Sequence, residues 1–229
     1  MLYATIWKAL ALLPLAQLVT AGREEQRIMD PGNDYMSHIR QKLEDAEIIP
    51  TVVDDFTPIL VLDAKWKSDS ASLGNTLNPA DLQSPPSVHL VKPESQLHSD
   101  IKVAPGSTFV LTLTDPDAPS RDNPKWSEFC HWIATGVSLS SSSEDSGHHL
   151  QDIIKYKPPG PPPKTGKHRY VFLVFVLANG TTDKLHLTKP EGRKHWGSDH
   201  TGHGVREWAH ENGLIPVAAN FIYAQNDEQ

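Results

Sequence analysis

The stretch His168–Ala178 (HRYVFLVFVLA) constrains this chain more than any other. Past Tyr170 every residue is apolar, and most are β-branched or aromatic. No glycine or proline interrupts the run, so it reads as a strand. A strand apolar on both faces has to be covered on both, which predicts a central position between two layers. Asn179-Gly180 follows at once and is the strongest short hairpin signal in the chain.

Other segments repeat the β signal. Thr108–Thr114 (TFVLTLT) alternates β-branched residues and ends at Pro116 and Pro119. Cys130–Val137 and Val217–Ala224 read as further strands, Asp54–Leu62 as an earlier one and Val88–Val91 as a short one. Gly74-Asn75 marks a turn. The chain holds 19 prolines, too many for a protein of long helices. They gather in segments such as Lys157–Gly166 (KPPGPPPKTG), which lacks the amide donors a sheet needs and should lie outside it. Ser138–His149 is low in complexity and polar, the pattern of a mobile loop. Helical spacing is confined to Tyr35, Met36, Ile39 and Leu43, and to Gly204–Asn212 with Gly213 as the cap. The expected fold is therefore mainly β, an antiparallel β-sandwich with a few peripheral helices.

At 229 residues the chain suits one large domain. Its net charge of −7 and lack of a basic block argue against a nucleic-acid partner. Beyond the N-terminus no apolar run is long enough for a transmembrane segment. The N-terminus itself has Lys8, the apolar run Ala9–Ala16 and small residues at Val19-Thr20-Ala21. That order predicts a signal peptide over residues 1–21, cleaved before Gly22, and a secreted protein. Without cleavage the chain would be cytoplasmic. A polar segment with a helix occupies 22–47, and the β-rich domain runs from 48 to 229. In a secreted chain, Asn179-Gly180-Thr181 is a glycosylation sequon at an exposed turn.

The polar residues at strand ends form the candidate site. His168 and Tyr170 are two apart on a strand and share a face. Asp115 and Asp117 flank Pro116 where another strand ends, and His131 begins a third. Gly160–Gly166 could bring bare backbone N–H groups nearby. Two imidazoles, a phenol and amides suit an anion. A carboxylate beside an anion needs its own reason. Asp115 either fixes an imidazole tautomer or pairs with an ammonium head group. The competing account makes Asp115 and Asp117 caps of a proline turn, and His131 and His168 satisfied core residues.

Asp115-Pro116-Asp117-Ala118-Pro119-Ser120, continued by Lys125–Trp132 (KWSEFCHW), resembles the first signature of the phosphatidylethanolamine-binding protein family. Gly166–Tyr170 (GKHRY) resembles the second. Leu73–Leu77, Trp196-Gly197, Gly204–Leu214 and Asn220–Ala224 are most similar to its fungal carboxypeptidase Y inhibitor branch. The likeness spans residues from about Ile48 to the C-terminus. It implies a β-sandwich with a small pocket for phosphate-like anions. The residues carried over are Asp115, Asp117, His131, His168 and Tyr170, with Phe129 and Gly160 at the rim. It implies no catalytic residue, cofactor or metal. The inhibitor branch grips its protease with a free N-terminal segment. Here residues 1–28 precede the point where that branch would begin, which predicts no high-affinity inhibition of serine carboxypeptidases.

Other chemistries fit less well. Cys130 and His131 are strand neighbours and point apart unless a bulge intervenes, so they do not form a nucleophile–base pair. No Gly-x-Ser-x-Gly elbow is present. His195, Asp199, His200 and His203 match no common zinc spacing. The leading reading is a binding protein for a phosphorylated or carboxylated small molecule or lipid head group, with protease inhibition as a variant. The second is a protein of a fungal secondary-metabolite pathway that helps couple cyclic anhydride (maleidride-type) units, with a pathway enzyme as partner.

Overall fold

The computed structural model describes residues 31–93, 103, 106–140, 150–180, 185–200 and 202–228. The predicted signal peptide and most of the Ser138–His149 loop lie outside these residues. Among these residues eight strands and two α-helices follow in the order α1 (Pro31–Asp45), β1 (Val61–Lys65), β2 (Asn75–Leu77), β3 (Ser87–Val91), β4 (Phe109–Asp115), β5 (Phe129–Ser140), β6 (Gln151–Ile154), β7 (His168–Leu177), α2 (Val205–Glu211) and β8 (Leu214–Ala224). The neighbour order is β1-β3-β5-β4-β7-β8-β2, with β6 added to β5.

β7 lies between β4 and β8, as its composition requires. Its side chains divide strictly by parity. Tyr170, Phe172, Val174 and Val176 enter one core, which they share with Leu62, Ala64, Val88 and Leu90 of β1 and β3. Val171, Leu173 and Phe175 enter the other, beneath Met36, Ile39 and Leu43 of α1 and Trp208 of α2. The molecule is thus three layers deep: a small sheet, the central sheet, and helices with loops. Tyr35, expected on the apolar face of α1, is exposed instead. α2 stops at Gly213, whose φ of 64° is the left-handed value that lets the chain turn straight into β8.

The mainly β class holds, with one amendment. β2 pairs with β8, and β3 with β5, in parallel, so the sheet is mixed rather than purely antiparallel. Of three local expectations, two change. Asn179-Gly180 makes a turn, but the residues that would continue a hairpin, 181–184, lie outside the described ones, and the strands that pair with β7 among the described residues are β4 and β8. The segment at Asp54–Leu62 becomes a strand only from Val61; before that, the Ile59 and Leu60 amides both donate to the Val217 carbonyl. β5 continues through Ser138–Ser140 because β3 pairs with it there, whatever the side chains.

Candidate functional site

At one end of the β4–β5–β7 face the strands open into a cavity of about 290 Å³. Asp115, Phe129, His131, Gly160, His168 and Tyr170 all line it, together with Trp126, Lys157 and prolines of the 158–162 segment. Strand geometry explains the convergence. Asp115 ends β4, Phe129 starts β5, and His168 and Tyr170 start β7. His131 arrives by a different route. Leu113 pairs with Trp132 and Thr114 with Cys130, so His131 is the extra residue of a β-bulge. A bulge re-aims a side chain that the pleat alone would send elsewhere. The proline segment closes the far wall.

The hydrogen bonds of this wall are specific. The Asp115 carboxylate takes the His168 Nδ1 contact at 2.9 Å on Oδ2 and the Asp117 amide at 2.8 Å on Oδ1. Of the two roles the sequence left open for Asp115, tautomer fixing is the one that its geometry displays. His168 Nε2 lies 3.0 Å from Thr165 Oγ1. His131 Nδ1 lies 2.8 Å from the Lys157 carbonyl. The Gly160 amide donates to the Tyr170 hydroxyl oxygen at 3.2 Å. The rings stack closely, His131 edge-on to Tyr170 at 5.1 Å and tilted against Phe129 at 5.0 Å.

Burial dominates the electrostatics. It pushes the His131 pKa down to about 4, against the opposing pull of Asp115. It raises the Tyr170 phenol well above its ordinary value, and the nearby charge of Asp115 adds to the effect. The mouth is basic. Lys194 Nζ sits 4.2 Å over the Trp126 ring and Lys125 Nζ 5.8 Å from it, with Lys157 on the cavity edge.

Two expected features of the site fall elsewhere. Asp117 is absent from the lining. Its carboxylate is held by Arg169, whose guanidinium also donates to the Ala46 and Glu47 carbonyls on the helix side. The Gly160 amide is not bare, since Tyr170 Oη accepts from it. The bulge removes the strict alternation assumed for Cys130 and His131, yet Cys130 is fully buried in the helix-side core and its thiol is pushed up to about 12. A thiol so placed is no nucleophile. His195 turns Nδ1 to the Ser127 carbonyl and braces a loop.

Sequence reasoning passed over several supporting residues. Arg193 donates to the Cys130, His131 and Lys155 carbonyls and so clamps the bulge. Behind the wall, Trp196 Nε1 donates to Thr114 Oγ1, and that hydroxyl donates to Glu128 Oε2. The Val205 amide donates to the same oxygen. Glu128 is fully buried, and desolvation raises its pKa to about 8. Of these residues Glu128 alone lies in the KWSEFCHW string, and nothing local there separates a buried glutamate from a surface one.

The family model described as phosphatidylethanolamine-binding protein matches residues 67–222. The carboxypeptidase Y inhibitor of Saccharomyces cerevisiae is 32% identical over 200 residues, covering 78% of this chain and 90% of the relative. CEN-like protein 1 of Nicotiana tabacum is 30% identical over 193 residues, covering 83% and 95%. Among solved structures, the carboxypeptidase Y inhibitor complexed with its cognate proteinase superposes with a TM-score of 0.73 at 30% identity, covering 87% of this chain and 100% of that one. The phosphatidylethanolamine-binding protein of Plasmodium vivax superposes with a TM-score of 0.62, covering 82% and 97%; at 20% identity it speaks for the fold alone.

Proposed function

Because the chain belongs to the phosphatidylethanolamine-binding protein family, we propose that it is a binding protein whose cavity takes the acidic end of a phosphorylated or carboxylated ligand. The ligand is a small molecule or a lipid head group. One observation carries this reading. Asp115, His131, His168 and Tyr170, drawn from three strands, meet at one cavity that Lys157 and Trp126 also line, with Lys194 over the Trp126 ring. The cavity volume of about 290 Å³ suits a head group and is too small for acyl chains. Lys157 on the lining, with Lys194 close by on Trp126, attracts anions although the chain as a whole is acidic.

Its protein partner, on this reading, is a proteinase, and the chain acts as an inhibitor-like regulator that holds it with less than high affinity. The support is the yeast relative, which is named for inhibiting carboxypeptidase Y and was solved with its cognate proteinase. Among the described residues no helix is long and apolar enough to cross a membrane. Work outside the cytoplasm rests on the residue 1–21 pattern.

Calorimetric titration with methyl phosphate, phosphoethanolamine and dicarboxylates tests the pocket. Binding to at least one, lost in His131→Ala, is expected; no heat from any of them removes the proposal. Titration of carboxypeptidase Y with the purified protein tests the inhibitor arm separately, and undiminished activity at excess protein sinks that arm alone.

A further inference from the structure

We propose that the cavity takes its acidic ligand singly protonated, with the ligand's own hydroxyl donating to His131 Nε2. The inference rests on the pocket reading above and follows from counting donors. Nδ1 of His131 faces a carbonyl oxygen, which only accepts, so that nitrogen carries the ring proton. In the neutral ring the lone pair is then on Nε2, the nitrogen left for the cavity. His168 has both ring nitrogens engaged, with Asp115 and Thr165. Gly160 gives its amide to the Tyr170 hydroxyl oxygen. At His131 the inner wall therefore offers a lone pair beside a buried carboxylate, while the His168 ring and the Gly160 amide are engaged within the wall.

A fully ionised phosphate or sulfate has only lone pairs to set against that wall. Each would leave Nε2 without a donor and would press a further charge on Asp115. A phosphate monoester bearing one proton, or an undissociated carboxylic acid, supplies the missing donor. In the phosphate monoester the remaining charged oxygens lie toward Lys157, which lines the cavity. The groups that face His131 are Asp115 from β4, His168 and Tyr170 from β7, Lys157 of the proline segment and Arg193 of the clamping loop. Burial keeps the ring neutral from pH 5 to 8, so the ligand rather than His131 sets the proton count there.

A matched pair of probes tests this. Methyl phosphate loses its second proton near pH 6, whereas methyl sulfate has the same shape and single charge with no proton at any of these values. Calorimetric titration at pH 5 and pH 7.5 should show methyl phosphate binding about tenfold or more tightly than methyl sulfate at pH 5. That advantage should shrink by a similar factor at pH 7.5, with methyl sulfate unchanged between the two. Equal affinities at pH 5 would overturn the inference. So would both probes strengthening in parallel as pH falls, which would report titration of a protein group. If neither probe binds at either pH, the pocket reading itself fails and this inference falls with it.

Discussion

Arg169 and Asp117 meet through a pair of hydrogen bonds, Nε to Oδ2 at 2.9 Å and Nη2 to Oδ1 at 2.6 Å, with both side chains buried. The Arg169 amide adds a third bond to Oδ2 at 2.8 Å. Its Nη1 reaches the carbonyls of Ala46 and Glu47, just past the end of α1. The two residues thus fasten the helix layer to the central sheet. Cutting one partner leaves a buried charge unpaired, which costs about 3–5 kcal/mol. Asp117→Ala and Arg169→Leu should each lose stability in that range in urea unfolding. A loss below 1 kcal/mol in either would show the pair to be incidental.

Glu128 should make stability fall as pH rises. Its folded pKa of about 8 lies above the ordinary 4.5 because burial penalises the charged form. Below 4.5 folded and unfolded chains both hold the proton. Between the two values only the folded chain does, so unfolding releases a proton and rising pH favours it. Above about 8 both are ionised and the loss is complete. The range corresponds to up to roughly 5 kcal/mol, at about 1.4 kcal/mol per pH unit. Glu128→Gln mimics the protonated form and should flatten this slope. Urea unfolding at pH 5 and pH 8 compares them, and an unchanged slope in the variant would exclude Glu128 as the cause.

Gly204 should tolerate no side chain. A Cβ there would overlap the Glu128 carboxyl group. Gly204→Ala must therefore displace Glu128 from Thr114 and from the Val205 amide, at about 1–3 kcal/mol for a buried polar group left unpaired. Thermal melts of the variant should show the loss. Combining it with Glu128→Ala should cost less than the sum, since one cavity serves both changes.

His131 should not titrate between pH 5 and 8, and its proton should stay on Nδ1. Nitrogen-15 chemical shifts of the ring read both points directly. A midpoint near the usual 6.5 would mean that the ring is solvated rather than buried. Because its folded pKa is depressed, neutral His131 adds stability above about 6.5 that is lost as pH falls towards 4.

Tyr170→Phe should uncouple the proline segment from β7. The variant lacks the oxygen that accepts the Gly160 amide. Hydrogen exchange at Gly160 should accelerate while the Phe172–Val174 amides, deep in the sheet, stay protected. The stability cost should be about 1 kcal/mol. Unaltered exchange at Gly160 would show that the prolines alone hold the wall.

What the sequence disclosed depended on whether the deciding partner was local. β7 was legible because its two apolar faces state its surroundings outright. β6 was missed because Gln151 and Asp152 are exposed and the segment is only four residues long. A turn motif such as Asn179-Gly180 carries no information about which strand edges are occupied. At the site, Asp115 and Asp117 look alike beside Pro116. Their separation is made by His168 on one face of β7 and Arg169 on the other, both more than fifty positions away. His131 was recognised as a site residue, but its place in a bulge depends on the pairing of β5 with β4. Nor could the spent Gly160 amide be read from a glycine in a proline run.

That alternation along β7 has an evolutionary consequence. His168 and Tyr170 face the cavity, while Arg169 between them is locked to the opposite layer. A slip of one residue would carry the guanidinium into the cavity and the imidazole under the helix, and every apolar residue beyond would change cores. Register is therefore guarded by a residue that never meets the ligand. Substitutions in the cavity wall can accumulate, and new ligands be sampled, without the strand losing its place.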